Sequence, residues 1–144
     1  MSAKTTLTPI DLLEASRDIG ENRIAVIDGQ KRFTFNDISI CVRQAAILLK
    51  KAGVQKGDRV VHLGINSSDH AIFLFATSMT GAIYAPLNPW TPPRDLVRLI
   101  QLASASCLLL GQSLLNRPFT ALMNHPDRRL PTDLHLLDLT SEPI

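Results

Sequence analysis

The sequence predicts an α/β fold: a parallel sheet with crossover helices, preceded by a β-hairpin. Three observations carry that prediction. From Asp58 to Leu110 short apolar runs alternate with helix-period segments in the order strand, helix, strand, helix, strand, the rhythm of a parallel sheet with its crossovers. The first of those strands, DRVVHLGI, is rich in β-branched residues. Upstream, Asp28-Gly29 sits between two short apolar runs, the strongest short hairpin signal in the chain.

Each element has its own local reason. Residues 8–17 (TPIDLLEASR) form a short helix with Thr8 as N-cap, Pro9 at the first helical position and Asp11 and Glu14 near the start. IAVIDGQKRFTF supplies the hairpin. FNDISICVRQAAILLKKAG then spaces Ile38, Cys41, Val42, Ala45, Leu48 and Leu49 along one helical face. Lys50 and Lys51 fall in its last turn, where the helix dipole favours cations, and Gly53 occupies the left-handed cap position. After DRVVHLGI, Asn66-Ser67-Ser68 caps a helix over residues 69–80 that is apolar nearly all round and so needs cover on more than one side. AIYAPL is the next strand, PRDLVRLIQLA the next helix and SCLLL the third strand. Farther on, Pro118 breaks SLLNRPFTALMNHP into short helical pieces, PDRRLPTD is loop and LHLLDL is a last strand.

Residues 81–93, GAIYAPLNPWTPP, hold four of the nine prolines. Pro86 lacks an N–H for the ladder and fits only near a strand end or edge. Pro89 and Pro92 keep Asn88 and Thr91 out of helical conformation. Thr91 is then placed to cap the following helix, with Pro92 at its first position. The corner is a stiff strand-to-helix connection at the carboxyl end of a parallel strand, the end where open α/β sheets bind ligands.

Composition bounds the rest. The 144 residues suit one domain or a piece of a larger one, and 45% apolar with 19% charged residues describes a globular chain able to bury a core. Fifteen basic and thirteen acidic residues leave a net charge of +2 with no basic run, which argues against a nucleic-acid partner; Arg128-Arg129 reads as a solvated loop. Cys41 and Cys107 lie far apart in apolar patterns and read as small buried hydrophobes in a reducing compartment. The first twenty residues lack a signal-peptide core, and the apolar stretch 71–87 is broken by polar residues and shorter than the ~20 a membrane helix needs. A cytoplasmic location follows, in which the sequon Asn66-Ser67-Ser68 carries no glycan.

Chemistry-bearing motifs are sparse. The seven glycines form neither GxGxxG nor GxxxxGK[ST]. His62, His70, His125 and His135 have no metal-ligand spacing, and His62 and His135 read as hydrogen-bonded strand histidines. No GxSxG elbow occurs; Ser67 and Ser68 read as helix caps, Ser78 as part of a helix and Asp58 as a turn residue. The expectation is no catalytic, no cofactor-binding and no metal-binding residue in the chain.

The order of four segments is informative beyond their composition. Phe33-Thr34-Phe35-Asn36-Asp37-Ile38 resembles the T-Y-x-E-L segment of the adenylate-forming enzymes, the AMP-binding acyl-CoA synthetase and ligase superfamily. Gly53-Val54-Gln55-Lys56-Gly57-Asp58-Arg59-Val60 resembles its G-V-x-x-G-D-R-V turn and strand. Asn66-Ser67-Ser68-Asp69 is similar to its N-S-x-E helix start, and residues 81–89 to its G-A-x-x-x-P-L-N-P segment. Ala103 to Leu110 is similar to the strand that follows. The resemblance is strongest over residues 21–110, and residues 1–144 match the N-terminal part of the AMP-binding domain. Phe35, Asp37 and Ile38 are conservative replacements within it.

The resemblance implies a partial N-terminal domain of an enzyme that activates a carboxylate with ATP and magnesium to an acyl-adenylate and passes the acyl group to coenzyme A or a carrier thiol, as in fatty acid metabolism. The family's phosphate loop, T-S-G-T-T-G-x-P-K, its adenine- and ribose-binding segments and its C-terminal lysine have no counterpart within these residues. An inactive fragment that pairs with the remainder of a ligase is the leading expectation. The alternative is a stand-alone, non-catalytic interaction module, or self-association, motivated by the all-apolar helix at 69–80 with too little of the domain to cover it. Arg94 and Arg98 match no family motif and read as a solvated helix face rather than a site for coenzyme A phosphates.

Overall fold

Two capping boxes and one tight turn organise the amino-terminal part of the chain. The computed structural model describes residues 7–111 and 130–139. Helix α1 (Pro9–Gly20) starts at Thr8, whose backbone N–H donates to Asp11 Oδ2 at 2.7 Å. Strands β1 (Ile24–Asp28) and β2 (Lys31–Thr34) pair antiparallel, with Asp28 opposite Lys31. Gly29 between them has φ +58°, a conformation that costs a glycine nothing. Thr34 then starts α2 (Phe35–Lys51): Asp37 N–H donates to Thr34 Oγ1 at 3.1 Å, and Thr34 N–H returns a bond to Asp37 Oδ2 at 2.9 Å. The Thr-x-x-Asp of the first resembling segment is thus a helix-starting device. Lys50 and Lys51 close α2, and Gly53 takes φ +84° beyond it.

The main sheet contains β3 (Arg59–Leu63), β4 (Ile83–Leu87), β5 (Cys107–Leu110) and β6 (His135–Asp138), all parallel in the order β4-β3-β5-β6. Side chains alternate across it. Val60, Cys107 and Leu109 join one apolar cluster with Leu13 of α1, Val42 and Leu49 of α2, and Ile72 and Phe73 of α3 (Ser68–Thr80). Val61, Leu63, Leu108 and Leu110 join the other with Leu96, Val97 and Ile100 of α4 (Pro93–Leu102). A sheet covered on both faces accounts for β3 and β5 reading as unbroken apolar runs. Phe73 is fully buried, and truncation of such a side chain to Ala costs about 3–5 kcal/mol.

Three expectations are corrected. Helix α1 runs three residues past Arg17, to Gly20. The N-cap of α4 is Pro92 rather than Thr91, and the helix begins at Pro93. Asn88 organises the corner, its Oδ1 accepting from Trp90 N–H at 2.9 Å and its carbonyl from Thr91 N–H at 3.1 Å, and the first helical bonds, from Asp95 N–H at 2.9 Å and Leu96 N–H at 3.0 Å, go to the Pro92 carbonyl. The bare surface expected on the helix at 69–80 is also not there. Of the large apolar side chains on α3 only Leu74 is exposed, at 40%. Cover comes from the preceding chain, because α1 and α2 fold back over the sheet and enclose α3. Pro86 lies next to the end of edge strand β4, as its missing N–H requires. The helical pieces expected in SLLNRPFTALMNHP fall outside the described residues.

Candidate functional site

The sheet changes winding direction between β3 and β5. The chain leaves β3 through α3 to reach β4 on one side, then returns through α4 to β5 on the other side of β3. In open α/β sheets such a switch point opens a crevice at the carboxyl ends of the strands. A crevice of about 830 Å³ lies at the carboxyl ends of the strands, beside the switch and between β3 and β4, lined by Gly64, Ile65, Asn66 and His70 from the β3–α3 connection and by residues 86–90 of the proline corner. Trp90, the chain's sole tryptophan, is 77% exposed on its wall. The corner noted in the sequence is therefore one side of the crevice.

Beneath the crevice three ring side chains meet. His62 of β3, Tyr84 of β4 and His70 of the first turn of α3 converge because His62 and Tyr84 are diagonal neighbours on the α3 face of the sheet. Tyr84 Oη lies 2.7 Å from His62 Nδ1 and 2.8 Å from His70 Nδ1. The imidazoles stack with centroids 4.0 Å apart, and His70 Nε2 lies 3.3 Å from the Gly64 carbonyl oxygen. His62 is fully buried and its Nε2 has no hydrogen-bond partner. Burial, followed by the neighbouring His70, lowers the His62 pKa to about 3, so the ring stays neutral. Burial, then the charge of Asp69, pushes the Tyr84 phenol well up. Gly64 and Gly111, which follow β3 and β5, pass so close that a Cβ on Gly64 would lie 3.3 Å from Gly111 Cα and 2.9 Å from His62 Nε2.

The amino end of α3 is occupied by the protein itself. Asp28, from the hairpin turn, accepts from Ser68 N–H at 2.8 Å and from its hydroxyl at 2.9 Å. Those bonds, the backbone one first, hold the Asp28 carboxyl below its ordinary range. A helix terminus so filled does not offer itself to a phosphate.

The other candidates take structural places. Asp58 Oδ2 accepts from Gln55 N–H at 2.8 Å, which makes it a turn residue. Cys41 is half-buried and Cys107 buried, both free, and burial with Asp58 raises the Cys107 thiol to about 12, the mark of an inert thiol. Ser67 is the N-cap position of α3, and Ser78 lies within that helix. His135 opens β6, away from the ring cluster, and His125 lies outside the described residues. Arg94 and Arg98 are exposed on α4 and do not line the crevice. Among the described residues no group of three His, Cys, Asp or Glu is placed to hold a metal ion, and no helix is long and apolar enough to cross a membrane. Tyr84 was not singled out in the sequence. Its one signal is a phenol with a polar end in an apolar strand, two register positions from a histidine.

The sequence profile of the family described as AMP-binding enzyme matches residues 13–142. The chain belongs to the AMP-binding enzyme family. Among its relatives, 4-coumarate–CoA ligase 2 of Oryza sativa subsp. japonica is 35% identical over 83 residues, which are 58% of this chain and 14% of that ligase. Two solved structures show the same fold. The anthranilate CoA ligase AuaEII, solved with anthranoyl-AMP, superposes with TM-score 0.82 at 23% identity over 94% of this chain and 25% of its own. The Klebsiella oxytoca NpsA N-terminal subdomain, solved with 3-hydroxybenzoyl-AMSN, does so with TM-score 0.75 at 20% identity over 94% of this chain and 31% of its own. This AMP-binding family member thus spans a third or less of each of these three proteins.

Proposed function

We propose that these residues are the N-terminal part of an adenylate-forming ligase, which activates a carboxylic acid with ATP to an acyl-adenylate and transfers the acyl group to a thiol, coenzyme A or a carrier. The family match over residues 13–142 carries the reading. Fatty and aromatic acids both fit the chemistry, and the two free cysteines favour a reducing compartment such as the cytoplasm. In this reading the chain by itself binds no ATP. The sequence has no glycine-rich phosphate loop, and Asp28 fills the amino end of α3. No reaction step is therefore assigned to the described residues, and the 144 residues by themselves are inactive in this reading. Their role is to support the sheet and present its carboxyl end to the remainder of the ligase.

ATP–pyrophosphate exchange by the purified chain, across a panel of fatty and aromatic acids, tests the inactivity. Turnover above background with any of them overturns it. Reading the coding sequence beyond Ile144 tests the wider assignment, and a phosphate loop there supports it. The second reading, a stand-alone interaction module, draws on the apolar α3, over which α1 and α2 pack while Leu74 stays exposed; the oligomeric state of the purified chain tests it.

A further inference from the structure

Two outward helix faces of the amino-terminal part match in spacing and are opposite in charge. On α1 Leu12 and Ile19 are exposed, Ile19 at 80%, with exposed Ala15 between them. On α2 Ile40 and Ile47 are exposed, Ile47 at 55%, with exposed Gln44 between them. Residues seven apart lie on one side of a helix, two turns or about 10.5 Å from each other. Each helix therefore shows solvent an apolar stripe of the same length. The faces that these helices bury are different ones, carried by Leu13 on α1 and by Val42 and Leu49 on α2. Single exposed isoleucines are ordinary. Here they are paired along two helices.

Charge distinguishes the stripes. Helix α1 carries Asp11, Glu14 and Asp18 against Arg17, a net charge of −2. Helix α2 carries Arg43, Lys50 and Lys51 against Asp37, a net charge of +2. Asp11 and Asp37 belong to the capping boxes, and Asp18 Oδ1 lies 3.2 Å from Arg17 Nη2. Glu14, Lys50 and Lys51 are exposed beside the stripes.

We propose that α1 of one copy of this chain packs against α2 of a second copy, stripe on stripe, with the acidic helix beside the basic one. Each stripe has its complement on the same molecule, yet both face solvent and neither covers the other there. A second copy supplies the complement. Pairing like helices would set acid against acid or base against base, which opposes association. Two reciprocal contacts about a two-fold axis, α1 on α2 and α2 on α1, close a dimer. The inference uses neither α3 nor the crevice, and it holds whether or not the chain is part of a ligase.

Sedimentation of the purified chain over a rising concentration series at low salt should show the mass passing from monomer to dimer. Glu14→Lys with Asp18→Lys makes both helices basic, and Lys50→Glu with Lys51→Glu makes both acidic. Each double variant alone should remain monomeric across the series, with its fold checked by circular dichroism. An equimolar mixture of the two should regain the dimer, because each then meets its opposite. A wild-type chain that stays monomeric overturns the proposal, and so it does if that monomer binds vesicles of anionic phospholipid instead. A dimer kept by either double variant also overturns it, as does a mixture of folded variants that fails to associate. Should a double variant not fold, Ile47→Ser decides. It should weaken the dimer at least about tenfold, in line with one aliphatic side chain left uncovered, and an unchanged dimer overturns the pairing.

Discussion

Asp28 caps a helix that begins forty residues later: its Oδ2 accepts both the backbone N–H and the hydroxyl of Ser68. The bond ties the hairpin turn to the amino end of α3 and so fixes the β1–β2 unit against the main body. Asp28→Ala should destabilise the fold by about 1 kcal/mol, the usual worth of a helix cap, with partial exposure holding it to that range. Asp28→Asn, which keeps an acceptor, should lose less. Urea denaturation of both variants measures this, and a loss in Asn equal to that in Ala would contradict the cap.

Acid should weaken the same contact. Hydrogen bonds from Ser68 lower the Asp28 pKa, and bonds from Thr8 and Thr34 lower those of Asp11 and Asp37. Each folded-state pKa lies below its unfolded value, so the unfolded chain binds more protons in acid. The stabilisation is complete above about pH 4 and is lost as pH falls through the lower folded values. Denaturation midpoints measured at falling pH should drop in that window, and less so in the triple Asp→Asn variant of these positions.

His62 adds a separate pH dependence at milder acidity. Its folded pKa of about 3 lies below the ~6.5 of an unfolded imidazole. Its contribution is therefore full above about pH 6.5 and declines as pH falls toward 3, with a slope approaching about 1.4 kcal/mol per unit. His62→Phe should flatten the stability profile between about pH 6 and pH 4. An unchanged slope would show that His62 titrates normally in the folded chain.

Gly64 should be nearly intolerant of substitution. A Cβ there would lie 2.9 Å from His62 Nε2 and 3.3 Å from Gly111 Cα. Gly64→Ala should cost about 1–3 kcal/mol, the range for overpacking, and should shift the His62 ring resonances. Gly57→Ala is the control. It meets no atom within 4 Å and bears only the cost of its φ of +89°, so its His62 resonances should stay in place.

The sequence by itself determined the elements, their order and the family. Caps such as Thr8 and Thr34, the Lys50-Lys51-Gly53 helix end, the hairpin glycine and the apolar runs of β3 and β5 all act within a few residues, and local chemistry is legible along a chain. It also placed the proline corner correctly at a strand end. Even there one local detail was misjudged, since the first helical bonds go to the Pro92 carbonyl and the helix starts one residue later. The tertiary structure alone decided that β3 lies between β4 and β5, that α1 and α2 cover α3, that Asp28 reaches Ser68, and that His62, Tyr84 and His70 share hydrogen bonds. Each depends on strand order, on register or on how helices pack over the sheet. A one-residue slip of β4 against β3 would turn Tyr84 to the opposite face, and nothing within either strand forbids that slip until both faces of the sheet are buried.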